Sequence, residues 1–354
     1  MRCVVPKSSI LSVLLLVFLV HTSVSAANHA VVLLYHHVDS STPSSTSVTP
    51  QDFKRHLDYL WENNFFVLPL EEILDAIATG KSLPENSIAI TFDDAYESVH
   101  SKAFPMLRER RWPFTVFVST DYIDGGYGNY MSWPQIRELT EGGGSVGNHS
   151  LAHEHPLQRR SGESKSAWLA RFRDDLVQAS ARIKEQTGLE TRLYAYPYGE
   201  YNRDVEKVVA DLGLYGLGQQ SGAIGTTTPL SSAPRFPISQ SFAAMNEFAL
   251  RARSRPLPVS VAAPNDRLLE RTSRAPRLEL VLEDSVYAPT AIGCFTHDGT
   301  RIEVTWQDQR RFRIQAQSPL PPGRSKYTCT APYPGESGVF GWYSHLWIIP
   351  GGND

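Results

Sequence analysis

Ser87-Ile-Ala-Ile-Thr-Phe92 is followed at once by Asp93-Asp94. The first six residues form a short apolar run, which predicts a buried strand. In α/β barrels the active site is built where the parallel strands end. Two adjacent carboxylates there lose hydration and repel each other unless a metal or another cation compensates. The sequence therefore favours a functional acid pair over the alternative, a solvated turn in which an Asp caps a helix.

The same kind of strand recurs along residues 30–242, with amphipathic segments between. Further short runs of apolar, β-branched or aromatic residues are Val31–Tyr35, Phe114–Val118 and Leu193–Tyr196. Pro50–Trp61 places its apolar residues on one helical face, and Ser166–Thr187 is a longer predicted helix that ends before Gly188. This alternation predicts an α/β fold with a parallel sheet, closed or partly closed as a distorted (β/α) barrel.

Residues 1–26 have the pattern of a secretory signal peptide. A cationic start precedes an apolar run at residues 10–20, and Val24-Ser-Ala26 offers the small residues that a signal peptidase recognises. The run is shorter than the roughly 20 residues that span a bilayer. Cleavage after Ala26 is therefore expected to leave a periplasmic or secreted chain without a transmembrane segment. It leaves 32 basic and 37 acidic side chains, a balance that gives no indication of nucleic-acid binding.

The composition changes after the alternating region. Residues 251–277 are rich in Pro, Arg and Ser and are predicted to be a linker. Residues 278–354 are predicted to form a small β-sandwich, because three segments there have strand character: Leu278–Leu282, Arg301–Trp306 and Arg311–Gln315.

Cys294 and Cys329 both lie in this C-terminal segment. Since an exported chain meets oxidising conditions, one disulfide is predicted and a cysteine-bound metal is not. Phe340–Trp347 is an aromatic cluster that could stack on sugars if exposed. Burial of the same residues in the core of a small domain is the favoured interpretation.

A second polar cluster, His149-Ser-Leu-Ala-His153, follows a glycine-rich stretch. Histidines four residues apart lie on one face of a helical turn, which suits two imidazoles bound to one metal ion. With one carboxylate of the acid pair, they would leave coordination positions open for water and substrate. A chance surface pair is the alternative, and His155 fits the geometry of a ligand poorly.

Three further segments carry candidate residues. Tyr194-Ala-Tyr-Pro-Tyr-Gly199 predicts a turn that could wall a pocket and aim a backbone N–H at an oxyanion. Tyr35-His-His-Val38 ends the first strand, and Ala233-Pro-Arg-Phe-Pro-Ile238 places an arginine near the end of the alternating region. Taken singly, such residues are structural more often than functional.

Together these residues resemble a known family. Three segments resemble, in order and separation, the first three motifs of the polysaccharide deacetylase family: Thr91-Phe-Asp-Asp94, His149-Ser-x-x-His153 and Tyr196-Pro-Tyr-Gly199. This family is also called the NodB-homology or carbohydrate esterase family 4 domain. Tyr35–Val38 and Pro234–Ile238 most resemble the poly-β-1,6-N-acetylglucosamine deacetylases of bacterial biofilm export systems. The resemblance implies a deacetylase domain over residues 27–250.

The resemblance also implies a metal site and a general base. Asp94, His149 and His153 match the residues that bind one divalent metal ion, for which zinc is expected. Asp93 matches the general base. Arg235 matches an arginine that would orient Asp93 and keep it ionised, because a nearby cation lowers a carboxylate pKa.

The remaining matched residues have implied roles in proton delivery and in binding the oxyanion. His36 matches the catalytic acid, and its neighbour His37 is the weaker candidate because the family places the functional histidine directly after the aromatic residue. Tyr198 would donate its backbone N–H to the oxyanion, and Pro197 would fix that turn.

The implied reaction is metal-dependent N-deacetylation of an N-acetylglucosamine polysaccharide, with the poly-β-1,6-linked polymer as the expected substrate and acetate as a product. Components of a polysaccharide export system are the expected protein partners. The spacing of His149 and His153 is the one common in the wider family, whereas some biofilm deacetylases have a longer spacing. Residues 251–354 also do not resemble the large glycoside-hydrolase-like domain of the biofilm enzymes. Peptidoglycan or chitin-like oligomers, or a small amide, are therefore alternative substrates. A non-catalytic glycan-binding protein is a further alternative, which the complete acid and histidine pairs argue against.

Overall fold

The predicted strand Ser87–Phe92 lies in the middle of a curled, mostly parallel sheet in the computed structural model. The structure describes Met1 and residues 26–350, apart from Asn265 and Asp284. The predicted signal peptide thus lies outside the described residues, apart from its two terminal positions. Among the helices of the described part, none is both long and apolar enough to cross a membrane.

Residues 26–252, the N-terminal unit, contain thirteen short strands and eight α-helices within the described part. The strands are β1 Ala26–Ala27, β2 His29–Tyr35, β3 His37–Val38, β4 Ser47–Val48, β5 Phe66–Val67, β6 Leu83–Pro84, β7 Ser87–Phe92, β8 Phe114–Val118, β9 Gly144–Asn148, β10 Leu193–Ala195, β11 Tyr215–Leu217, β12 Ile224–Gly225 and β13 Phe236–Pro237. The helices are α1 Pro50–Glu62, α2 Leu70–Thr79, α3 Phe104–Arg110, α4 Thr120–Asp124, α5 Trp133–Glu141, α6 Lys165–Thr187, α7 Arg203–Asp211 and α8 Met245–Ala252.

Local sequence signals explain the two helices that were predicted. Helix α1 begins after Thr49, whose side chain accepts a hydrogen bond from the Asp52 N–H, and Pro50 occupies its first position. Helix α6 ends at Gly188, which has a φ of 75°. Because glycine adopts this left-handed conformation without a steric penalty, it ends the helix where the sequence predicted.

The main sheet has the order β11-β10-β9-β8-β7-β2-β12, with β5 beside β7 and β13 beside β2. Apart from antiparallel β12, its pairings are parallel. Alternate residues of β2 pack on opposite faces: Val31 and Leu33 lie in a core with helices α1 and α3, whereas Val32 packs with helix α2. The predicted α/β fold is therefore confirmed as a curled sheet, or half-barrel, with helices packed on it.

One segment connects strand β11, at one end of this sheet, with strand β2 near the other end. Phe236 pairs with Leu33 in β2, and Ala233 forms an isolated parallel bridge with Leu217 in β11. Residues 233–237 thus connect β11, at one end of the sheet, with β2, the last parallel strand before antiparallel β12 at the other end. Arg235 is carried into the interior by this segment.

Residues 255–350, the C-terminal unit, form two further sheets. The strands are β14 Arg255–Pro256, β15 Val259–Ala263, β16 Arg277–Leu282, β17 Gly293–Phe295, β18 Arg301–Ile302, β19 Thr305–Trp306, β20 Arg311–Gln315, β21 Gly323–Pro332 and β22 Phe340–Ile349. One sheet has the order β14-β22-β21-β17-β18 and the other β15-β16-β20-β19. Leu280 and Phe312 of the second sheet share an apolar core with Tyr327 and Trp347 of the first.

Two details of this unit differ from the sequence-based expectation. The predicted linker 251–277 contains the end of α8 and strands β14 and β15, because its apolar residues Leu257 and Val259 are buried in the shared core. The single strand predicted at Arg301–Trp306 is two strands, β18 and β19, which lie in different sheets. The aromatic cluster is largely internal, since Trp347 is fully buried and Trp342 packs on Phe236 of the N-terminal unit.

The predicted disulfide joins Cys294 on β17 to Cys329 on β21, 35 positions apart in the sequence. Replacing both cysteines by serine is expected to lower the free energy of unfolding by about 3–4 kcal/mol, because the closed loop no longer restricts the unfolded chain. Chemical denaturation of the oxidised wild type and the double variant measures this difference. An unchanged unfolding midpoint would mean that the disulfide contributes no stability.

Candidate metal and catalytic site

The acid pair lies where strand β7 ends, and the backbone there turns sharply. The Asp93 N–H donates to the Tyr35 carbonyl at 2.9 Å, so Asp93 still continues the pairing with β2. Asp94 and Ala95 then have φ values of 70° and 56°, in the left-handed region. The change of direction sends the two carboxylates to different partners.

Asp93 faces the interior and forms a bidentate ion pair with Arg235. The guanidinium nitrogens lie 2.7 and 2.8 Å from the two carboxylate oxygens, and both side chains are fully buried. Arg235 also donates to the Gly218 carbonyl at 2.9 Å, and its guanidinium lies over the Phe117 ring. Burial alone would raise the pKa of Asp93, but Arg235 and then His149 outweigh it and lower the pKa. Asp93 is therefore held as a carboxylate in a fixed orientation.

Arg235→Met is expected to lower the free energy of unfolding by about 3–5 kcal/mol, because it leaves the Asp93 carboxylate buried without its cation. Arg192→Met is the matched control. Arg192 pairs with Glu71 and Asp75 at the surface, where an ion pair contributes at most about 1 kcal/mol. Urea denaturation of both variants makes the comparison, and equal losses would contradict a special cost for the buried pair.

The two histidines lie on a loop, and the prediction of a helical turn was wrong. The segment after β9 has φ values of 74° at Ser150 and 53° at His153, which an α-helix cannot contain. Asn148 holds the loop instead: its side-chain oxygen accepts from the Ser150 N–H at 2.7 Å. The Ser150 hydroxyl in turn accepts from the His153 N–H at 2.9 Å. These local hydrogen bonds compete with helix formation and still bring both rings to one side.

Asp94, His149 and His153 converge as the sequence predicted. Nε2 of each histidine lies 3.3 Å from the same Asp94 oxygen. The three candidate ligand atoms all lie within 4.8 Å of one another. Burial opposes ionisation of Asp94, but the neighbouring histidines hold its pKa well below the ordinary value.

The donor atoms of this cluster fit a divalent metal ion. Nδ1 of His149 donates to the Ala195 carbonyl at 2.7 Å, which leaves Nε2 pointing at the Asp94 carboxylate. That buried Nε2 makes no hydrogen bond of its own within the described structure. Either a proton on Nε2 or a metal ion between the two groups compensates a ring nitrogen that faces a carboxylate at this distance. One carboxylate and two imidazoles are a donor set typical of catalytic zinc, which keeps a coordination position open.

The predicted oxyanion turn borders the same site. Pro197–Gly199 form a 3₁₀ turn in which Tyr198 has a φ of 56°. A side chain at Gly199, where φ is 66°, would lie 2.7 Å from Gln219, so the turn requires glycine there. The Tyr198 ring meets the His153 ring edge-on at 4.5 Å, and its carbonyl accepts a hydrogen bond from Arg324.

The pocket above the site has a volume of about 570 Å³ and is lined in part by His36, Asp94, His153 and Tyr198. Burial lowers the pKa of His36, and the carboxylates of Asp94 and Asp93 oppose that shift. A proton on His36 would thus face two negative groups. His36 forms part of the pocket wall, near both carboxylates.

The two histidines judged weaker candidates have other contacts. The His37 ring stacks on Tyr96 at 3.6 Å. The His155 ring stacks on Tyr198 at 3.9 Å and lies 3.2 Å from the Glu200 carboxylate. Neither belongs to the cluster of candidate metal ligands.

Among the pocket-lining residues that sequence reasoning missed are Tyr96, Tyr130 and Arg324. The Tyr96 and Tyr130 rings stack at 5.0 Å, and burial together with Asp94 raises the pKa of Tyr96 above its ordinary value. Tyr96 follows the acid pair by two residues, a proximity that could have drawn attention to it. Arg324 comes from the C-terminal unit, and no signal in the sequence indicates its place.

Residues 80–217 match the family model described as polysaccharide deacetylase. Over these residues the N-terminal unit is similar to polysaccharide deacetylase domains, and we therefore call it the deacetylase domain. The acid pair, the two histidines and Tyr198 fall inside the matched segment. His36 and Arg235 lie outside it: His36 directly follows strand β2, and Arg235 lies in the segment 233–237 beside β2.

Named relatives come from several bacteria. The poly-β-1,6-N-acetyl-D-glucosamine N-deacetylase of Staphylococcus epidermidis is 27% identical over 234 residues, which cover 60% of this chain and 80% of that protein. The enzyme of the same name from Escherichia coli K12 is 22% identical over 259 residues, covering 63% of this chain and only 38% of that protein. The solved structure of IcaB from Ammonifex degensii is 26% identical, with a TM-score of 0.54, and covers 62% of this chain and 96% of that one. These matches support the deacetylase domain and leave the substrate of the whole chain open.

Proposed function

We propose that the protein removes N-acetyl groups from an N-acetylglucosamine polysaccharide with the help of one divalent metal ion. The observation that carries this proposal is the convergence of Asp94, His149 and His153 beside an Asp93 that Arg235 fixes. A metal site, a positioned carboxylate and an open pocket together can support hydrolysis of an unactivated amide.

Zinc is the ion we propose for the site. Asp94, His149 and His153 would hold it, because imidazole nitrogens and one carboxylate oxygen suit zinc better than magnesium or calcium. When bound, such an ion would lower the pKa of a bound water and polarise the carbonyl of the acetamide. The Ala195 carbonyl keeps Nδ1 of His149 protonated, so that Nε2 is the free donor atom.

Asp93 is the proposed general base. Its bidentate pair with Arg235 occupies two of the roughly four lone-pair positions of a carboxylate, so a proton can still be accepted. His36 would deliver a proton to the departing sugar amine. The Pro197–Gly199 turn would present the Tyr198 N–H to the oxyanion, and its left-handed backbone fixes the direction of that group.

We infer that the poly-β-1,6-linked polymer is the substrate. Support comes from the names of the relatives and from the segments Tyr35–Val38 and Pro234–Ile238, which supply His36 and Arg235 to the site. We also infer export, on the basis of the predicted signal peptide and the disulfide of the C-terminal unit. The two C-terminal sheets would then be a sandwich-like accessory domain, which includes β14 and β15 as well as the described part of the predicted segment 278–354. Components of an export system remain the proposed partners.

Mass spectrometry of defined oligosaccharides tests the reaction and the linkage together. Zinc-loaded protein would be incubated with β-1,6-linked and β-1,4-linked N-acetylglucosamine oligomers and with peptidoglycan fragments. We expect loss of one acetyl group per reacting sugar, with the β-1,6-linked oligomers reacting fastest. Faster reaction of another glycan would contradict the substrate, and binding without acetate release from any of them would favour a glycan-binding protein.

A further inference from the structure

A second, smaller cavity adjoins the catalytic pocket at the boundary between the two units. It has a volume of about 150 Å³ and shares Tyr198, Gln219 and Arg324 with the catalytic pocket. Lys326 and His297 of the C-terminal unit form its far wall. A ligand that extends from the catalytic pocket past Tyr198 would therefore enter this groove.

Strand β21 supplies the cations of the groove. Arg324 donates to the Tyr198 carbonyl and, at 3.2 Å, to the Gln219 side-chain oxygen. Lys326 lies two positions further along the strand, on the same face, and donates to the Ser221 hydroxyl at 3.0 Å. Burial, with a smaller contribution from Arg251, lowers the pKa of Lys326 to about 8, so it is still mostly protonated at neutral pH.

The charged side chains that line the groove are all basic. Among the described residues that line it, none is acidic. Asp298, the sequence neighbour of His297, is exposed and is not part of the wall. A low-dielectric wall that carries charges of one sign repels like-charged ligands.

The groove is also held in place by an apolar interface. Leu346 and Ile348 of strand β22 pack in one core with Tyr194 and Tyr196 of the deacetylase domain. Arg267 of the C-terminal unit pairs with Glu206 of helix α7 at 2.8 Å. Strand β21, which carries Arg324 and Lys326, pairs with β22 along its length. Both residues are thereby fixed in position beside the Pro197–Gly199 turn.

We propose that this groove binds the sugar next to the one that loses its acetyl group, and that its cationic wall prefers an acetylated neighbour to a deacetylated one. The proposal rests on the deacetylase function proposed above. An acetamido group is uncharged, and its carbonyl accepts hydrogen bonds from Arg324 or Lys326. A free sugar amine is mostly protonated below neutral pH, so it carries a like charge and offers only donors.

The preference has a consequence for the product. Once a unit has lost its acetyl group, it becomes a poor occupant of the groove. When the next sugar along the polymer lies in the catalytic pocket, the deacetylated unit has to lie in the groove, and this next sugar is therefore deacetylated slowly. Amines are therefore spaced along the polymer, and long runs of them do not form.

Two tetrasaccharides measure the preference: one fully acetylated, and one that carries a single free amine next to the reacting unit. At pH 6.5 and low salt, we expect kcat/KM of the wild-type protein to be about tenfold lower for the second substrate. Lys326→Gln should move the ratio clearly toward one, with a remainder from the Arg324 charge, and Lys326→Arg should restore it. Arg313→Gln removes an exposed charge from strand β20 of the other sheet, and it should keep the wild-type ratio.

Thermal melting first confirms that each variant is folded. A wild-type ratio near one, or a Lys326→Gln variant that keeps the full preference, would overturn the subsite. Raising the salt concentration should weaken the preference in the wild type, because screening reduces the repulsion between charges. If neither tetrasaccharide releases acetate, the proposed deacetylase function itself fails, which is a different result from equal rates.

Discussion

Asp93→Asn is expected to reduce acetate release by about 10²–10⁴-fold, the range in which a positioned general base contributes. Asparagine has nearly the same shape and still offers one oxygen to Arg235, but it cannot accept a proton. Steady-state measurement of acetate from an N-acetylglucosamine oligomer gives the ratio of kcat/KM values.

The metal content separates this effect from damage to the site. Asp93 is not among the three clustered ligand residues, so Asp93→Asn should bind nearly as much metal as the wild type. Elemental analysis and a thermal melt of the same sample provide both controls. Activity within about twofold of the wild type, in a folded and metal-loaded variant, would remove Asp93 from the role of base.

His153→Ala is expected to lose most of the bound metal. The loss in affinity should exceed the roughly 10–100-fold that follows removal of an outer-shell partner, because a direct ligand disappears. His153 is the better choice for this test because its ring is partly exposed, whereas His149 is fully buried and donates to the Ala195 carbonyl. Zinc titration with a competing chelator measures the affinity.

His155→Ala is the matched control for this variant. It removes an imidazole two residues away that stacks on Tyr198 and lies outside the ligand cluster. It should therefore keep its zinc. Equal zinc affinities for the two alanine variants would show that His153 is not a ligand.

Much of the deacetylase domain could be predicted because its elements are locally specified. Strands β7 and β8 have the bounds expected from their apolar runs, and α6 ends at Gly188. The disulfide could also be predicted, because cleavage of the predicted signal peptide would leave two cysteines, Cys294 and Cys329. The prediction of a linker at residues 251–277 was wrong because Pro and Arg residues dominate its composition. Its few apolar residues, such as Leu257 and Val259, become part of a core only in the folded protein.

The convergence of three candidate ligands could be predicted, but the local backbone that brings them together could not. Asp94, His149 and His153 meet as expected, but the spacing of the histidines was attributed to a helix. The side chains of Asn148 and Ser150 define the loop instead, and hydrogen bonds of this kind cannot be read from residue spacing. Arg324 could not be predicted at all, because its position depends on how two units pack against each other.

The bridge at residues 233–237 has a consequence for how the protein folds. Phe236 and Leu33 are about 200 positions apart in the chain, so their pairing requires the closure of a long loop. Contacts between such distant parts of a chain form slowly, because closing a long loop costs entropy before any contact compensates for it. We therefore expect Arg235 to reach Asp93 late in folding, so that partly folded chains lack the ion pair even where their strands are already in register.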